Sequence, residues 1–253
     1  MKHVGLMQLG VVALLLAAWE LAARTVIDPM FLSPPSIAFQ AGLRLLGDPA
    51  IRHALALLLG ELCLAFALSV AAGLALGLFL GLSAVSNRAL MPIILLLYAT
   101  PQIAILPVIM LAAGIGPASK IIFGFSHGVF PVVLTVAAAV RNLRPVLMTS
   151  ARSMGAGRWH MFRYVILPHI VPGFFAGQRL AMTAVLLGVL LAELYASSSG
   201  IGHFTRQFTE SFEPAKLLGL VALVALLAIV LNTVLRRVER RFTRWRQPAN
   251  AAR

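Results

Sequence analysis

Charge is what this 253-residue chain has least of. Only 11% of its side chains are Asp, Glu, Lys or Arg, against about 25% in a soluble domain. So little charge cannot cover a water-facing surface, which excludes an ordinary soluble enzyme. It also excludes a disordered chain, which would be polar. Cysteine is nearly absent: Cys63 alone makes no internal disulfide, and no Cys/His cluster has zinc spacing. Set in an apolar run, Cys63 reads as a small buried hydrophobe. Lysine occurs only at Lys2, Lys120 and Lys216, never after a glycine. A phosphate-binding loop needs that Gly-Lys step, so this chain is not expected to bind or hydrolyse ATP.

What is abundant is hydrocarbon: 60% of residues are hydrophobic and the mean hydropathy is +0.93. A helix needs about 20 largely apolar residues to cross a bilayer core. Six segments meet this, at 4–23, 54–82, 90–113, 121–140, 171–192 and 217–235. No alternation recurs at the spacing of a membrane barrel, so an all-α bundle of about six spans is expected as a single membrane domain covering 1–253. The first segment is longer than the 7–15 apolar residues of a signal peptide and reads as an uncleaved helix. Pro92, Pro101 and Pro107 should kink or break the third.

The net charge of +13 would suggest nucleic acid in a soluble protein, but here it sorts by loop. With the N-terminus inside, fourteen Lys and Arg fall in the inner segments. Six fall in the outer ones: Arg24, Arg44, Arg52, Lys120, Arg206 and Lys216. Basic residues accumulate on the cytoplasmic side of membrane proteins, so both termini are expected there and no nucleic-acid partner is. The basic tail 236–253 continues the last helix, with Val234, Val238, Phe242 and Trp245 at helical spacing. It reads as an anchor at the surface of anionic membrane lipid.

Within the spans, Gly73, Gly77 and Gly81 repeat every fourth residue. Such a stripe lets two helices approach closely, either inside the chain or between subunits. Glu61, Arg179 and Glu193 are ionisable residues in or near apolar spans, where charge is costly and usually faces protein or water. Arg179 and Glu193 are candidates for a pathway or gate, as are Pro101, Pro107 and His127.

The inner loop 141–170 is too long for a turn. Pro145 suits a first helical position, and Leu147, Met148, Ala151 and Met154 form an apolar stripe. Gly155 and Gly157 permit a reversal. A second stripe runs through Trp159, Phe162, Val165 and Ile166 and should end at Leu167-Pro168. Two short amphipathic helices with exposed apolar and arginine side chains need a cover, either the membrane surface or a partner protein.

This loop resembles the Glu-Ala-Ala loop of inner-membrane permeases in binding-protein-dependent ATP-binding-cassette (ABC) importers. Ala151 matches the second alanine, Gly155 the glycine, Ile166 an aliphatic position and Leu167-Pro168 the closing pair. The likeness continues in order through Phe31-Leu-Ser-Pro-Pro-Ser36, Ala113-Gly-Ile-Gly-Pro-Ala-Ser-Lys120 and Ala192-Glu-Leu-Tyr-Ala-Ser-Ser-Ser-Gly-Ile-Gly202, which are similar to segments of the nitrate/sulfonate/taurine branch. It departs where the family has its acid and first alanine: here stand Thr149 and Ser150.

The resemblance implies a type I ABC importer permease fold in the bacterial inner membrane, without an ATPase site of its own. Its implied partners are two ATPase subunits carrying ATP and Mg, a second permease subunit (a copy of this chain) and an extracytoplasmic solute-binding protein. Thr149, Ser150, Ala151, Arg152, Met154, Gly155, Arg158, Ile166, Leu167 and Pro168 would form the loop that docks on the ATPase. Arg152, Arg158 and Met154 would carry more of the contact where the acid is missing. The rival reading, a secondary transporter or channel on an ion gradient, would favour paired membrane carboxylates or an inverted repeat; neither stands out.

Overall fold

The computed structural model describes residues 2–197 and 199–242, and among these there are helices and no strands. Apolar composition and length select the spanning elements. Five helices are long and apolar enough to cross a membrane: α1 (Lys2–Thr25), α3 (Pro49–Leu82), α6 (Pro117–Arg141), α9 (Leu167–Ala196) and α11 (Pro214–Phe242). The third expected span is broken, as its prolines predict. It forms α4 (Ala84–Ala99), a 3-10 turn (Gln102–Ile105) and α5 (Leu106–Ala113), bent by 85°. Pro101 caps the turn and Pro107 opens α5.

Two shorter amphipathic helices, α2 (Pro35–Gly47) and α10 (Ile201–Glu210), were not anticipated by a search for 20-residue apolar runs. The inner loop supplies α7 (Pro145–Ser153) and α8 (Arg158–Met161). Of the basic tail, 243–253, including Trp245, lies outside the described residues.

The chain packs as two compact units. One comprises residues up to Leu59 with Glu193–Leu227; the other comprises Gly60–Ala192 with the chain from Ala228 onward. In the first, Glu20 near the end of α1 holds the start of α2. Its carboxylate accepts from the Ser36 N–H at 3.0 Å and the Ser36 hydroxyl at 2.7 Å, and pairs with Arg24 at 2.6 Å. That is a physical role for the Pro-Pro-Ser segment: Pro35 sets the first helical turn and Ser36 anchors it. Further along, α2 and α11 meet backbone to backbone, since a Cβ on Gly219 would lie 2.6 Å from the Gly42 nitrogen.

The second unit is organised around α6. A Cβ on Gly73, Gly77 or Gly81 would stand 2.5–2.7 Å from the Cβ of Val132, Val136 or Val140 respectively, closer than real side chains approach. The glycine stripe of α3 is thus filled by the valine stripe of α6, and it serves packing within the chain. On another side of α6, a Cβ on Gly173 of α9 would meet Ala139 at 2.7 Å. Val132, Val136 and Ala181 are fully buried in this layer.

Two expectations need correction. Cys63 is exposed on α3, because an apolar span buries only one face and leaves the other for lipid. Lys120, counted among the outer loop residues, lies inside α6 and is buried, because it has a buried carboxylate partner.

Candidate functional site

The loop between α6 and α9 is closed by helix-end chemistry. Pro145 begins α7 with Arg144 at its N-cap. At the other end Gly155 adopts φ +79°, a left-handed conformation that only glycine enters at little cost. The Gly155 N–H donates to the Arg152 carbonyl at 2.9 Å, and the Ala156 N–H donates to the Ala151 carbonyl at 3.0 Å. These two bonds form a Schellman motif. The chain then reverses and restarts at Arg158, where the Met161 N–H bonds the Gly157 carbonyl at 2.9 Å. The turn thus depends on the glycine at 155, while position 151 contributes its main-chain carbonyl.

Beyond the turn the sequence reading needs one correction. The second helix does not stop at Leu167-Pro168; it runs on into α9 through a π-turn at Phe162–Ile166, with the Leu167 N–H bonded to the Phe162 carbonyl. Pro168 has no N–H to give and its ring crowds the preceding turn. Widening the helix by one residue just before it accommodates both, and such π-bulges are frequent at functional sites. The closing proline therefore joins the loop rigidly to a spanning helix.

The two faces of the loop differ. Ile166 is buried with Val140 and Ile170, and Met148, Phe162 and Leu167 pack against them. The loop also exposes Met154 (86%), Trp159 (69%) and Tyr164 (70%), and Met154 and Tyr164 line a mostly apolar groove with Ala151, Gly155, Ala156 and His160. Met154 therefore leaves the stripe expected from its spacing, since it caps α7 rather than continuing it. Thr149, Ser150, Arg152 and Arg158 are exposed beside the groove. The Thr149 hydroxyl bonds back to the Pro145 carbonyl at 3.2 Å; it neither caps the helix nor projects a charge. At the loop's inner base Arg141 bonds Asn87 of α4.

The membrane candidates fall into different settings. Arg179 pairs with Glu239 of α11. Glu193 is fully buried, and its Oε2 accepts from the Gly202 N–H in the first turn of α10 at 2.8 Å. A carboxylate is favoured at a helix N-terminus, where backbone donors are unpaired. A Cβ on Gly202 would collide with the Leu194 nitrogen at 2.5 Å, so the two glycines of the Ser-Gly-Ile-Gly segment let the chain fold back onto Glu193. Sequence reasoning missed a buried ion pair: Lys120 Nζ lies 3.0 Å from Glu61 Oε1. Nothing in a separation of 59 residues could announce it. His127 is half-buried in α6 beside Ser126, whose hydroxyl lies 3.1 Å from Gln102 Oε1 in the 3-10 turn.

Comparison with known proteins identifies the family and the fold. Residues 69–247 match the family model described as binding-protein-dependent transport system inner membrane component. The taurine transport system permease protein TauC of Escherichia coli is 31% identical over 94% of this chain and 89% of its own. A putative aliphatic sulfonates permease, SsuC of Bacillus subtilis, is 29% identical over 72% and 66%. The nitrate import permease NrtB of Leptolyngbya laminosa is 27% identical over 74% and 67%. A chain of the MetNI methionine ABC transporter, solved in inward-facing conformations, shares the fold with a TM-score of 0.68 at 18% identity, covering 77% of this chain and 96% of that one. The chain belongs to the binding-protein-dependent inner-membrane component family, and is a multi-pass permease subunit of an ABC importer with the type I fold.

Proposed function

We propose that two copies of this chain enclose the pathway, with both termini in the cytoplasm, and that loop 141–170 of each copy grips one of two ATPase subunits. ATP and Mg bind on those subunits, and this chain performs no chemistry of its own. A solute-binding protein delivers the cargo from outside. The observation that carries this reading is the two-faced loop: its underside is packed on Val140, Ile166 and Ile170, while Met154, Trp159 and Tyr164 are exposed. A lever needs a rigid root and a free contact surface, and the continuous π-turn into α9 supplies the connection. ATP-driven closure of the ATPase pair would then move α9 with the loop as one body.

The cargo we favour is a small oxoanion-bearing solute of the taurine and sulfonate type, on the strength of the likeness to TauC along most of both chains. The experiment is reconstitution of the permease with its ATPase and binding protein, followed by ATP-dependent uptake of labelled taurine. Uptake that needs all three components supports the reading. Uptake by the permease alone on an ion gradient would replace it.

A further inference from the structure

Few side chains in the broken span and in α6 are polar, and three of them gather at one place. Between Pro92 and Ala113 only Tyr98, Thr100 and Gln102 have polar side chains, and between Ile121 and Val140 only Ser126, His127 and Thr135 do. Thr135 spends its hydroxyl on its own helix, at the Pro131 carbonyl. Gln102 and Ser126 instead face each other at 3.1 Å, and Ser126 Oγ lies 3.5 Å from His127 Nδ1. All three residues are half-buried.

Their hydrogen bonds leave a defined set of groups on offer. His127 Nδ1 lies 3.0 Å from the Phe123 carbonyl. A carbonyl only accepts, so Nδ1 carries the proton and Nε2 points elsewhere without a partner among the described residues. The Ser126 hydroxyl has a single proton, which it shares between the Phe123 carbonyl at 2.7 Å and Gln102 Oε1 at 3.1 Å, the carbonyl being the nearer acceptor. The Gln102 amide N–H2, two donors, has no acceptor among the described residues. Pro131 supplies no N–H to the His127 carbonyl four residues back, which is left without its helical donor. Half-exposed polar groups at this depth are unstable against lipid. Irregular backbone at membrane depth is likewise tolerated only within protein or beside a water-filled cavity.

We propose that Gln102, Ser126 and His127 form a polar constriction at the bend of the broken span, through which the solute passes and where a small oxoanion accepts hydrogen bonds from the Gln102 amide. This rests on the permease reading above. Among the described residues no charged side chain hydrogen-bonds any of the three, and a neutral site suits passage: it attracts a solute enough to admit it without trapping it.

The test uses the lone cysteine to advantage. Cys63→Ser with Ser126→Cys, assembled with the ATPase and binding protein in proteoliposomes, is treated with methanethiosulfonate ethylsulfonate, a membrane-impermeant reagent that is itself a sulfonate. The expected result is labelling from one side in the absence of nucleotide, falling at least tenfold from that side when ATP and vanadate trap the complex. Adding Gln102→Glu should slow this anionic reagent at least tenfold relative to its cationic ethylammonium counterpart. Cys63→Ser alone, which has no thiol, should not react. If Ser126→Cys is inert while Val108→Cys on α5 labels in an ATP-dependent way, the permease reading stands and the constriction is wrong. Equal reagent rates with and without Gln102→Glu would also overturn it. If neither position reacts and the unaltered complex shows no ATP-dependent uptake of taurine, both readings fall together.

Discussion

Lys120 Nζ sits 3.0 Å from Glu61 Oε1, and both side chains are about 95% shielded. The pair ties α3 to α6 across 59 residues of sequence. Removing one partner of a buried pair leaves an uncompensated charge and costs about 3–5 kcal/mol, whereas replacing both by apolar groups is often neutral. Lys120→Met alone and Glu61→Leu alone should therefore each lower the thermal midpoint in detergent sharply. The double variant should recover part of the loss. A double variant as unstable as the worse single one would show that the pair is not the unit of stability.

The α3–α6 contact gives a second expectation. A Cβ on Gly77 would stand 2.7 Å from Val136 Cβ, so Gly77→Val should reduce folded yield, and overpacking of this kind costs about 1–3 kcal/mol. Val136→Gly in the same chain should restore it, read as the monodisperse fraction on size exclusion. Failure of rescue, with loss of subunit association alone, would move the stripe to an interface between copies.

Much of this fold was legible because a bilayer imposes a length and a polarity that sequence displays directly. α1, α3, α6, α9 and α11 follow from apolar runs, and the 85° break follows from Pro101 and Pro107. α2 and α10 escaped because 13 and 10 residues are too short to span and mix polar with apolar positions. In the loop, the glycine reversal was readable from Gly155, but the π-turn was not. It answers a steric demand of Pro168 that a helical wheel does not represent. Partners distant in sequence were invisible: Arg179 with Glu239, Lys120 with Glu61. In both cases an apparently lone charge turned out to be neutralised by a residue that no local pattern points to.

Glu193 gives a local test. Its carboxylate receives the Gly202 N–H, and leaving a buried donor without its acceptor costs about 1–3 kcal/mol. Glu193→Ala should raise hydrogen exchange across α10 while leaving α6 protected. Glu193→Gln, which keeps an acceptor oxygen, should change it far less. Equal exchange in both variants would show that the bond to the Gly202 N–H does not hold the start of α10.

Gly155 separates folding from coupling. An alanine there must hold φ +79°, which costs an L-residue roughly 1–2 kcal/mol, so Gly155→Ala should retain partial uptake. Gly155→Pro cannot adopt that φ and also loses the N–H bonded to Arg152. It should insert normally yet abolish ATP-dependent uptake. Full transport by the proline variant would mean that the turn is not needed for coupling.

The central claim is that this loop is where the ATPase takes hold, and Met154 tests it most directly. Met154→Cys in a Cys63→Ser background, co-expressed with the ATPase subunit in membranes, should cross-link to that subunit through a short heterobifunctional thiol-to-amine reagent, and nucleotide should alter the yield. Cys63→Ser alone, which has no thiol, should give no such product. If tagged permease recovers no ATPase and position 154 cross-links to nothing, the loop is not the coupling element and the account fails at its centre.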